Sequence, residues 1–362
     1  MRDVVVTDGN CEVVKSNGVR PDTEIATDAE TWFEMDQGRL SGIEAFAQRR
    51  LIVRGSIEKS LLFEPLFERP SAGALEHRVE NVGRRGGRIS ALLAGDPTAE
   101  PLILIHGLGA TKSSWLPVVP ALAQHYRVIA LDLPGFGSSA KPRGAYNAPW
   151  FAQRLSTFMD QLDIDSALIA GNSMGGRIAM EMAMSDANRV RAIACMCPVT
   201  AFSRRPALRF VKLLRPEFAF AASWLPRGQV LEGLRQLFAD PDRVAPDWYE
   251  AAVDDFLTIW RSPRARMAFS AAARHLYMEE PEGDDGFWAR LPAMTTPALY
   301  LYGTRDVLIT ARSAQRVSRA LPNSKVVVWK DCGHVPQIEF PERTIDLITG
   351  FFARLSQSRK AG

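Results

Sequence analysis

Between about residues 102 and 355, short runs of apolar residues alternate with amphipathic stretches of helical period. The apolar runs are "PLILIH", "YRVIALD", "SALIAGN", "VRAIACMC", "PALYLYG" and "KVVVWKD". The helical stretches between them are residues 149–162, 174–184, 311–320 and 341–355. Strands covered by helices on both faces are apolar at nearly every position. The pattern therefore predicts an α/β fold with a mostly parallel, doubly wound sheet.

Two segments depart from this alternation. Before it, "HRVENV" and "RISALLAG" favour an antiparallel hairpin that leads into the sheet. Within it, residues from about 199 to 292 are helical in pattern and contain no convincing strand. An ordinary connection in a sheet of this kind is far shorter, so we interpret this stretch as an inserted helical lid.

Residues 1–67 form a separate N-terminal block, followed by a turn-rich linker at 68–76, "ERPSAGALE". Alternating apolar positions in "CEVVKSNG" and "LIVRG" indicate short strands, and "LSGIEAFAQRR" indicates a helix. We therefore expect a small α+β segment at 1–67 and one large domain at 77–362 that carries the lid.

Composition narrows the class of function. The chain has 362 residues and a formal net charge of +3, which is too small to indicate a nucleic-acid partner. Four cysteines without a CxxC pair and five histidines argue against a zinc cluster. No secretory signal opens the chain, and no uncharged apolar run approaches the ~20 residues that span a bilayer. The expectation is a soluble protein of the cytoplasm.

The stretch "IAGNSMGGRI" carries the clearest chemical signal. Gly171, Ser173 and Gly175 fit the G-x-S-x-G pattern, with a predicted strand before it and a predicted helix after it. Such a turn strains the serine backbone and presents its hydroxyl at a helix N-terminus. A glycine-rich turn used for packing or phosphate is the alternative, but the Gly-Lys-Ser/Thr ending of a phosphate loop is absent.

A serine nucleophile needs a base, and the base needs an acid to orient it. His334 follows the last predicted strand, and Asp306 follows the strand before it. The chain order is then Ser173, Asp306, His334, the order used by folds of this kind. Asp331 lies too close to His334 in sequence to reach the far side of its ring. A helix N-cap is the alternative role for Asp306.

The remaining need is an oxyanion hole with two donors. The Met174 N–H follows the nucleophile, and the Leu108 N–H lies in the loop "HGLGATKSSW" after the first apolar strand. Gly107 and Gly109 let that backbone approach closely, and we expect His106 to support the loop. A simple tight turn is the alternative interpretation of these glycines.

Together these motifs resemble the α/β-hydrolase fold family over roughly 102–355. The similarity rests on "HGLGATKSSW", "LDLPGFGSS", "GNSMGG", "YGTRDVLI" and "CGHVPQIEFPE". Family members that use an aspartate nucleophile, the epoxide hydrolases and haloalkane dehalogenases, are disfavoured by Ser173. The chain is similar to carboxylesterases, monoacylglycerol-type lipases and hydrolases of ring-cleavage products. The last group has Trp after its catalytic histidine, where this chain has Val335.

The N-terminal block is similar to the second half of the sterol carrier protein type 2 domain, through the segment from "DTEIATDAETWFEMDQ" to "VRGSIEKSLLF". That resemblance implies an apolar tunnel for sterols or acyl chains. Because the first half of the family's domain is missing, a docking or dimerisation module is an equal alternative, which leaves a homodimer as one expected partner.

The basic and aromatic residues of the predicted lid indicate the class of substrate. Its first part, "FSRRPALRFVKLLRPEFAFAASWLP", combines basic and aromatic residues, which suits either a solvated outer face or peripheral contact with an anionic membrane. Its later aromatic residues are Trp248, Tyr249, Phe256, Trp260, Phe287 and Trp288. They favour a mainly apolar pocket for an acyl or ring group.

Three functional hypotheses follow. The first is a serine esterase or lipase that forms an acyl-enzyme, with an apolar ester or lipid as substrate and no cofactor or metal. The second keeps the triad but cleaves a carbon–carbon bond, and it needs a basic residue such as Arg177, or an arginine of the lid, to meet a substrate carboxylate. The third is a lipid-binding protein without catalysis. An intact triad argues against the third.

Overall fold

A computed structural model of the protein describes residues 2–7, 10–15, 18, 21–64, 73–84, 86–200, 224–279 and 281–360. The linker's first half and the basic, aromatic start of the predicted lid lie outside these residues. The proposed boundaries at 67 and 76 therefore stay predictions.

The described residues of the N-terminal block form two antiparallel strand pairs and three short helices. Its elements are β1 (Arg2–Thr7), β2 (Asn10–Lys15), β3 (Thr23–Thr27), α1 (Ala29–Asp36), α2 (Gly42–Ala47), β4 (Leu51–Gly55) and α3 (Ile57–Leu61). β1 pairs with β2, and β3 pairs with β4. Helix α2 begins with a complete capping box, in which Ser41 and Glu44 satisfy each other's backbone N–H groups.

The large domain is built on an eight-stranded sheet within the described residues, ordered β12-β11-β10-β9-β7-β8-β6-β5. Its strands are β5 (His77–Val82), β6 (Ile89–Ala94), β7 (Pro101–Ile105), β8 (Arg127–Leu131), β9 (Ala167–Asn172), β10 (Val190–Met196), β11 (Ala298–Gly303) and β12 (Lys325–Trp329). β5 and β6 pair antiparallel, and β7 to β12 run parallel. The predicted α/β class and the antiparallel lead-in hairpin are confirmed.

Helices cover both faces of this sheet. They are α4 (Val119–Ala123), α5 (Ala148–Asp160), α6 (Met174–Ser185), α11 (Arg312–Ala320), α12 (Pro336–Glu339) and α13 (Pro341–Lys360). One apolar cluster packs against α5 and α6, and a second packs against α4 and α13. The central strands are buried along their whole length, as their apolar sequences predict.

The chain leaves the sheet after β10 and returns at β11. The described part of this insertion is helical, with α7 (Arg227–Arg235), α8 (Pro246–Trp260), α9 (Pro263–Met278) and α10 (Phe287–Arg290). The described residues between 224 and 292, which do not include residue 280, contain no strand. Helices α8 and α9 each begin with proline, which fits the first helical turn because no N–H is needed there.

The N-terminal block and the large domain share one apolar core. Met35, Ile43, Val53 and Leu61 belong to the same buried cluster as Leu102 of strand β7. Strand β4 and helix α3 also pack against α8 of the insertion. In the described residues, no helix is both long and apolar enough to cross a membrane.

Candidate active site

Ser173 occupies the turn between β9 and α6. Its backbone has φ 54° and ψ −113°, a conformation that a residue with a Cβ adopts only under strain. Its carbonyl accepts hydrogen bonds from the N–H groups of Arg177 and Val199, and its own N–H donates to the Met196 carbonyl at 2.9 Å. The strained turn is therefore held by strand β10, by the segment that follows β10, and by helix α6.

Two glycines make this turn sterically feasible. A Cβ at Gly175 would lie 2.2 Å from the carbonyl oxygen of Ile105, and one at Gly171 would lie 2.4 Å from the Gly175 backbone. Neither backbone atom can move without displacing strand β7 or helix α6. The glycines in the motif are thus required by the close approach of strand and helix.

His334 and Asp306 meet at the same edge of the sheet. His334 Nδ1 lies 2.8 Å from Asp306 Oδ2, and because a carboxylate only accepts, Nδ1 carries the hydrogen. The second carboxylate oxygen, Oδ1, accepts from the N–H groups of Leu308 and Ile309 at 2.8 Å each. Asp306 therefore caps its own turn and orients the imidazole at once.

Asn172 connects the serine turn to the histidine loop. Its side-chain amide donates to the carbonyl of His334 at 3.0 Å and to the carbonyl of Met196 at 3.1 Å. Ser173 and His334 are both nearly buried, at 8% and 4% exposure. Among the described residues no hydrogen bond joins Ser173 Oγ to the His334 ring.

The loop after β7 lies against the serine. A Cβ at Gly107 would be 3.3 Å from the Ser173 Cβ. The N–H groups of Leu108 and Met174 have no hydrogen-bond acceptor among the described residues. Two unused donors thus lie on the two segments that flank Ser173, which is the requirement for binding a negatively charged oxygen.

His106 supports this loop through both ring nitrogens. Nε2 accepts from the Leu133 N–H at 3.0 Å, so the hydrogen is on Nδ1, which lies 2.7 Å from the Gly107 carbonyl oxygen. Complete burial lowers the pKa of His106, which keeps the ring neutral. Its arrangement is that of a support for the loop.

Glu339 is a site residue that the sequence reasoning missed. Its Oε2 accepts from the N–H of Gly333 at 2.7 Å, next to His334, and its Oε1 accepts from the N–H groups of Ala239 and Asp240 at 3.0 Å. It therefore ties the histidine loop to the insertion. The available signal was a single acidic residue in a mostly apolar segment, "VPQIEF".

Cys197 is a buried free thiol that lies beside the Asp306–His334 pair. Its sulfur, a carboxylate oxygen of Asp306 and a ring nitrogen of His334 lie within 4.8 Å of one another. Burial, followed by the Asp306 charge, raises the pKa of the Cys197 thiol well above its usual value. A protonated thiol is a weak metal ligand, so this group is poorly suited to hold an ion.

Arg177, the candidate for meeting a substrate carboxylate, is fully buried. Its guanidinium donates to Glu181 at 2.7 Å and to Glu279 at 2.6 Å, and it lies 4.3 Å over the Phe287 ring. Two carboxylates of the protein already neutralise its charge. Arg177 therefore connects α6 to the end of α9 through these ion pairs.

A narrow apolar cavity lies beside the Leu108 loop. Gly109, Gly135 and the aromatic rings of the insertion line it. The rings are Phe256, Trp260 and Phe269. Phe256 and Trp260 stack at 5.6 Å, and Phe269 meets both edge-on.

Asp331, the acid that the sequence argues against, and several predicted features lie away from this site or outside the described residues. Asp331 is half-exposed and contacts Arg305 instead of His334. Of the other predicted pocket aromatics, Trp248 and Tyr249 pack with Phe238 in a separate cluster. Most of the basic segment that was predicted to open the lid lies outside the described residues.

Comparison with known proteins places these observations in a family. The model of the α/β hydrolase fold matches residues 100–341, and the model of the SCP-2 sterol transfer family matches residues 3–68. The second match confirms the resemblance of the N-terminal block to a sterol carrier domain.

Individual relatives cover most of the chain. A pimeloyl-[acyl-carrier protein] methyl ester esterase of Aeromonas hydrophila is 28% identical over 263 residues, which is 69% of this chain and 94% of that protein. A 2-hydroxymuconate semialdehyde hydrolase of Pseudomonas sp. is 28% identical over 268 residues, 70% of this chain and 87% of that protein.

Among solved structures, a bacterial membrane phospholipase A superimposes with a TM-score of 0.64 at 27% identity, covering 78% of this chain and 87% of that one. The region matched by the family model, residues 100–341, includes strands β7 to β12 and every site residue described above. The chain therefore belongs to the α/β-hydrolase fold family, a family of hydrolases.

Proposed function

We propose that this protein is a serine hydrolase that cleaves carboxylic esters with apolar acyl or alcohol groups through an acyl-enzyme. The observation that supports it most directly is the pairing of His334 Nδ1 with Asp306 at 2.8 Å beside a serine in a strained turn. In this proposal Ser173 is the nucleophile, His334 the general base and Asp306 the orienting acid.

In the first step, Ser173 Oγ attacks the ester carbonyl carbon while His334 Nε2 takes the hydroxyl proton. The tetrahedral intermediate collapses when the carbon–oxygen bond to the alcohol breaks, and His334 returns the proton to the leaving alcohol. The step needs Ser173 Oγ to approach Nε2. Catalytic hydrogen bonds are often long in free enzymes and shorten when substrate binds.

The intermediate carries its negative charge on the former carbonyl oxygen. The N–H groups of Leu108 and Met174, which have no acceptor among the described residues, are the donors that we assign to it. In the second half-reaction His334 removes a proton from water, which attacks the acyl carbon. The bond from that carbon to Ser173 Oγ then breaks, His334 returns the proton to Oγ, and the acid is released. The same two donors stabilise that second intermediate.

We favour ester hydrolysis over carbon–carbon bond cleavage, although a relative is a 2-hydroxymuconate semialdehyde hydrolase. A substrate of that kind carries a carboxylate that needs a cationic partner. Arg177 is already paired with Glu181 and Glu279 and is fully buried. Val335 also stands where the ring-cleavage hydrolases have Trp.

The aromatic rings of Phe256, Trp260 and Phe269 beside Gly109 offer apolar contacts that suit an acyl chain or ring as one part of the substrate. The three described cysteine side chains, at 195, 197 and 332, are free thiols, which suits a reducing compartment such as the cytoplasm. Membrane contact through the basic lid segment and a homodimer stay predictions.

The proposal is tested by covalent labelling with a fluorophosphonate, which reacts with activated serines. We expect the wild-type protein to be labelled and Ser173→Ala to be unlabelled and inactive. Ser318→Ala, which removes an exposed serine hydroxyl on helix α11, is the control and should keep its label. Absence of labelling in a folded wild-type protein would contradict the proposal.

Substrate class is tested with p-nitrophenyl esters of increasing acyl length and with a ring-cleavage product. We expect an optimum of kcat/KM within the ester series and no carbon–carbon cleavage. Turnover of the ring-cleavage product at a rate comparable to the best ester would favour the second reaction instead.

A further inference from the structure

A buried cluster of charged side chains adjoins the loop that carries Leu108. Lys112, at the end of this loop, has no exposed surface. Its ammonium donates to Asp132 Oδ2 at 2.8 Å, to Ser90 Oγ at 3.2 Å and to the carboxylate of Glu58. An ammonium has three N–H donors, so these partners use all of them.

Glu58 comes from the N-terminal block, whereas the other members belong to the large domain. It lies in α3, which is anchored on both sides because Ile57 and Leu61 are buried in the shared core. Ser56 caps the helix by accepting from the Lys59 N–H. The Glu58 side chain is 20% exposed, and it reaches from this fixed helix into the interior of the large domain.

The same cluster holds the backbone of the loop. The N–H of Lys112 donates to Asp132 Oδ1 at 2.8 Å. Asp132 also accepts from the Ser138 N–H at 2.9 Å, which fixes its carboxylate. His106 holds the start of the loop through Gly107, so the segment that contains Leu108 is attached at both ends.

The charges in the cluster depend on one another. Burial on its own lowers the pKa of Lys112, but the carboxylates of Asp132 and Glu58 raise it by more than burial lowers it. The net pKa of Lys112 is therefore raised, and the side chain stays an ammonium. Without Glu58, this buried ammonium keeps one carboxylate and loses the other. The ammonium, and with it the end of the loop, is then held in place by fewer interactions.

We propose that Glu58 is a positioning residue for the oxyanion hole: it holds Lys112, and Lys112 fixes the loop that presents the Leu108 N–H. The N-terminal block is thereby a working part of the hydrolase site, in addition to anything it binds itself. The inference rests on the proposed function, because it requires an oxyanion to form beside Leu108. A shift of a few tenths of an ångström weakens such a hydrogen bond at the transition state.

The experiment compares Glu58→Ala and Glu58→Gln with the control Glu34→Ala. Glu34 lies in the same block and pairs with Arg50 at 2.7 Å, away from the loop. We expect Glu58→Ala to lower kcat for the best p-nitrophenyl ester by about tenfold, with KM within about twofold, since a transition-state contact is weakened. Glu58→Gln keeps an oxygen that can accept from Lys112 and should recover part of the loss.

A second readout reports on the oxyanion alone. An aryl trifluoromethyl ketone forms a tetrahedral adduct with an active serine, and its oxygen occupies the oxyanion hole. We expect its affinity for Glu58→Ala to fall by about the same factor as kcat/KM. Glu34→Ala should match wild type in both measurements. Active sites are titrated with the fluorophosphonate, so that rates refer to folded enzyme.

A lower Tm for Glu58→Ala with unchanged kcat per titrated site and unchanged ketone affinity would overturn the inference, since Glu58 would then only hold the block in place. The same result for Glu58→Gln would overturn it if the alanine variant does not fold. Failure of the proposed function gives a different result, because the wild-type protein then shows no labelling that depends on Ser173.

Discussion

At the scale of single residues, the site depends on groups that satisfy two requirements at once. Asp306 offers one oxygen to the backbone of its own turn and the other to His334. Asn172 holds the carbonyls of Met196 and His334 with one amide. Such sharing orients a side chain with few remaining degrees of freedom, which is what a preorganised site requires.

The double role of Asp306 leads to a prediction for Asp306→Asn. The amide oxygen can still accept from Leu308 and Ile309, so we expect Tm to stay within about 3 °C of wild type. The amide NH₂ then faces His334 and favours the wrong tautomer, and kcat should fall by about 10³ to 10⁴. Ester hydrolysis and thermal unfolding measure both effects.

Asp331→Asn is the matched control, since Asp331 is half-exposed and contacts Arg305. Its kcat should equal that of wild type. A loss of less than tenfold for Asp306→Asn would contradict the orienting role of that carboxylate.

At the scale of elements, helix α8 connects the insertion to both other parts of the molecule. It packs against β4 and α3 of the N-terminal block. On the side of the large domain, Asp255 Oδ2 accepts from Thr111 Oγ1 at 3.3 Å, at the end of the Leu108 loop. Burial, with the charges of Asp132 and Glu58, raises the pKa of Asp255 to about 7.

The raised pKa of Asp255 makes the free energy of unfolding depend on pH. Between about pH 4 and pH 7 the folded protein keeps a proton on Asp255 that the unfolded chain releases, so the free energy of unfolding falls as pH rises through this window. Asp255→Asn is neutral at every pH. We expect its Tm to exceed that of wild type by roughly 2 to 6 °C at pH 8 and by much less at pH 4.

Thermal unfolding of both proteins across this range measures the difference. Asp254→Asn, which alters the neighbouring acid that pairs with Arg227, controls for surface charge. An equal change in Tm for Asp255→Asn at pH 4 and pH 8 would show that Asp255 does not carry the pH dependence.

At the scale of the whole molecule, the N-terminal block is integrated into the hydrolase. Its buried residues continue the apolar cluster on one face of the sheet, and Glu58 enters the interior as a charge partner. A cavity between Phe46 of the block and Leu116 of the large domain has a volume of about 420 Å³ including its open mouth. The wall of this cavity is therefore shared by the two parts.

A shared core predicts cooperative unfolding. Differential scanning calorimetry of the intact chain should give one transition that includes the block and the large domain, because separating them exposes buried apolar surface. Lys112→Met should lower the temperature of that single transition, since it leaves the carboxylates of Glu58 and Asp132 without their cation. Two resolved transitions would contradict this description of the molecule.

Much of this could be predicted because it is encoded locally. The central strands are buried and apolar at nearly every position, and β12 at the edge of the sheet is apolar in sequence although partly exposed. Strands β7 to β12 were therefore recognised from their composition to within a few residues. The turn at Ser173 is predicted by the glycines at 171 and 175, because a Cβ at either position would collide with neighbouring backbone. Ser173, Asp306 and His334 could be expected to meet because each follows a strand whose carboxyl end lies at the same edge of the parallel sheet.

The sequence by itself thus determined the fold class, the serine turn and the three candidate triad positions, since each depends on residues close in the chain. Only the tertiary structure decided that Glu339 ties the histidine loop to the insertion, that Arg177 is already neutralised, and that Glu58 reaches Lys112. These are contacts between charged groups far apart in the chain. Their partners depend on how separate elements pack, and no local periodicity records that.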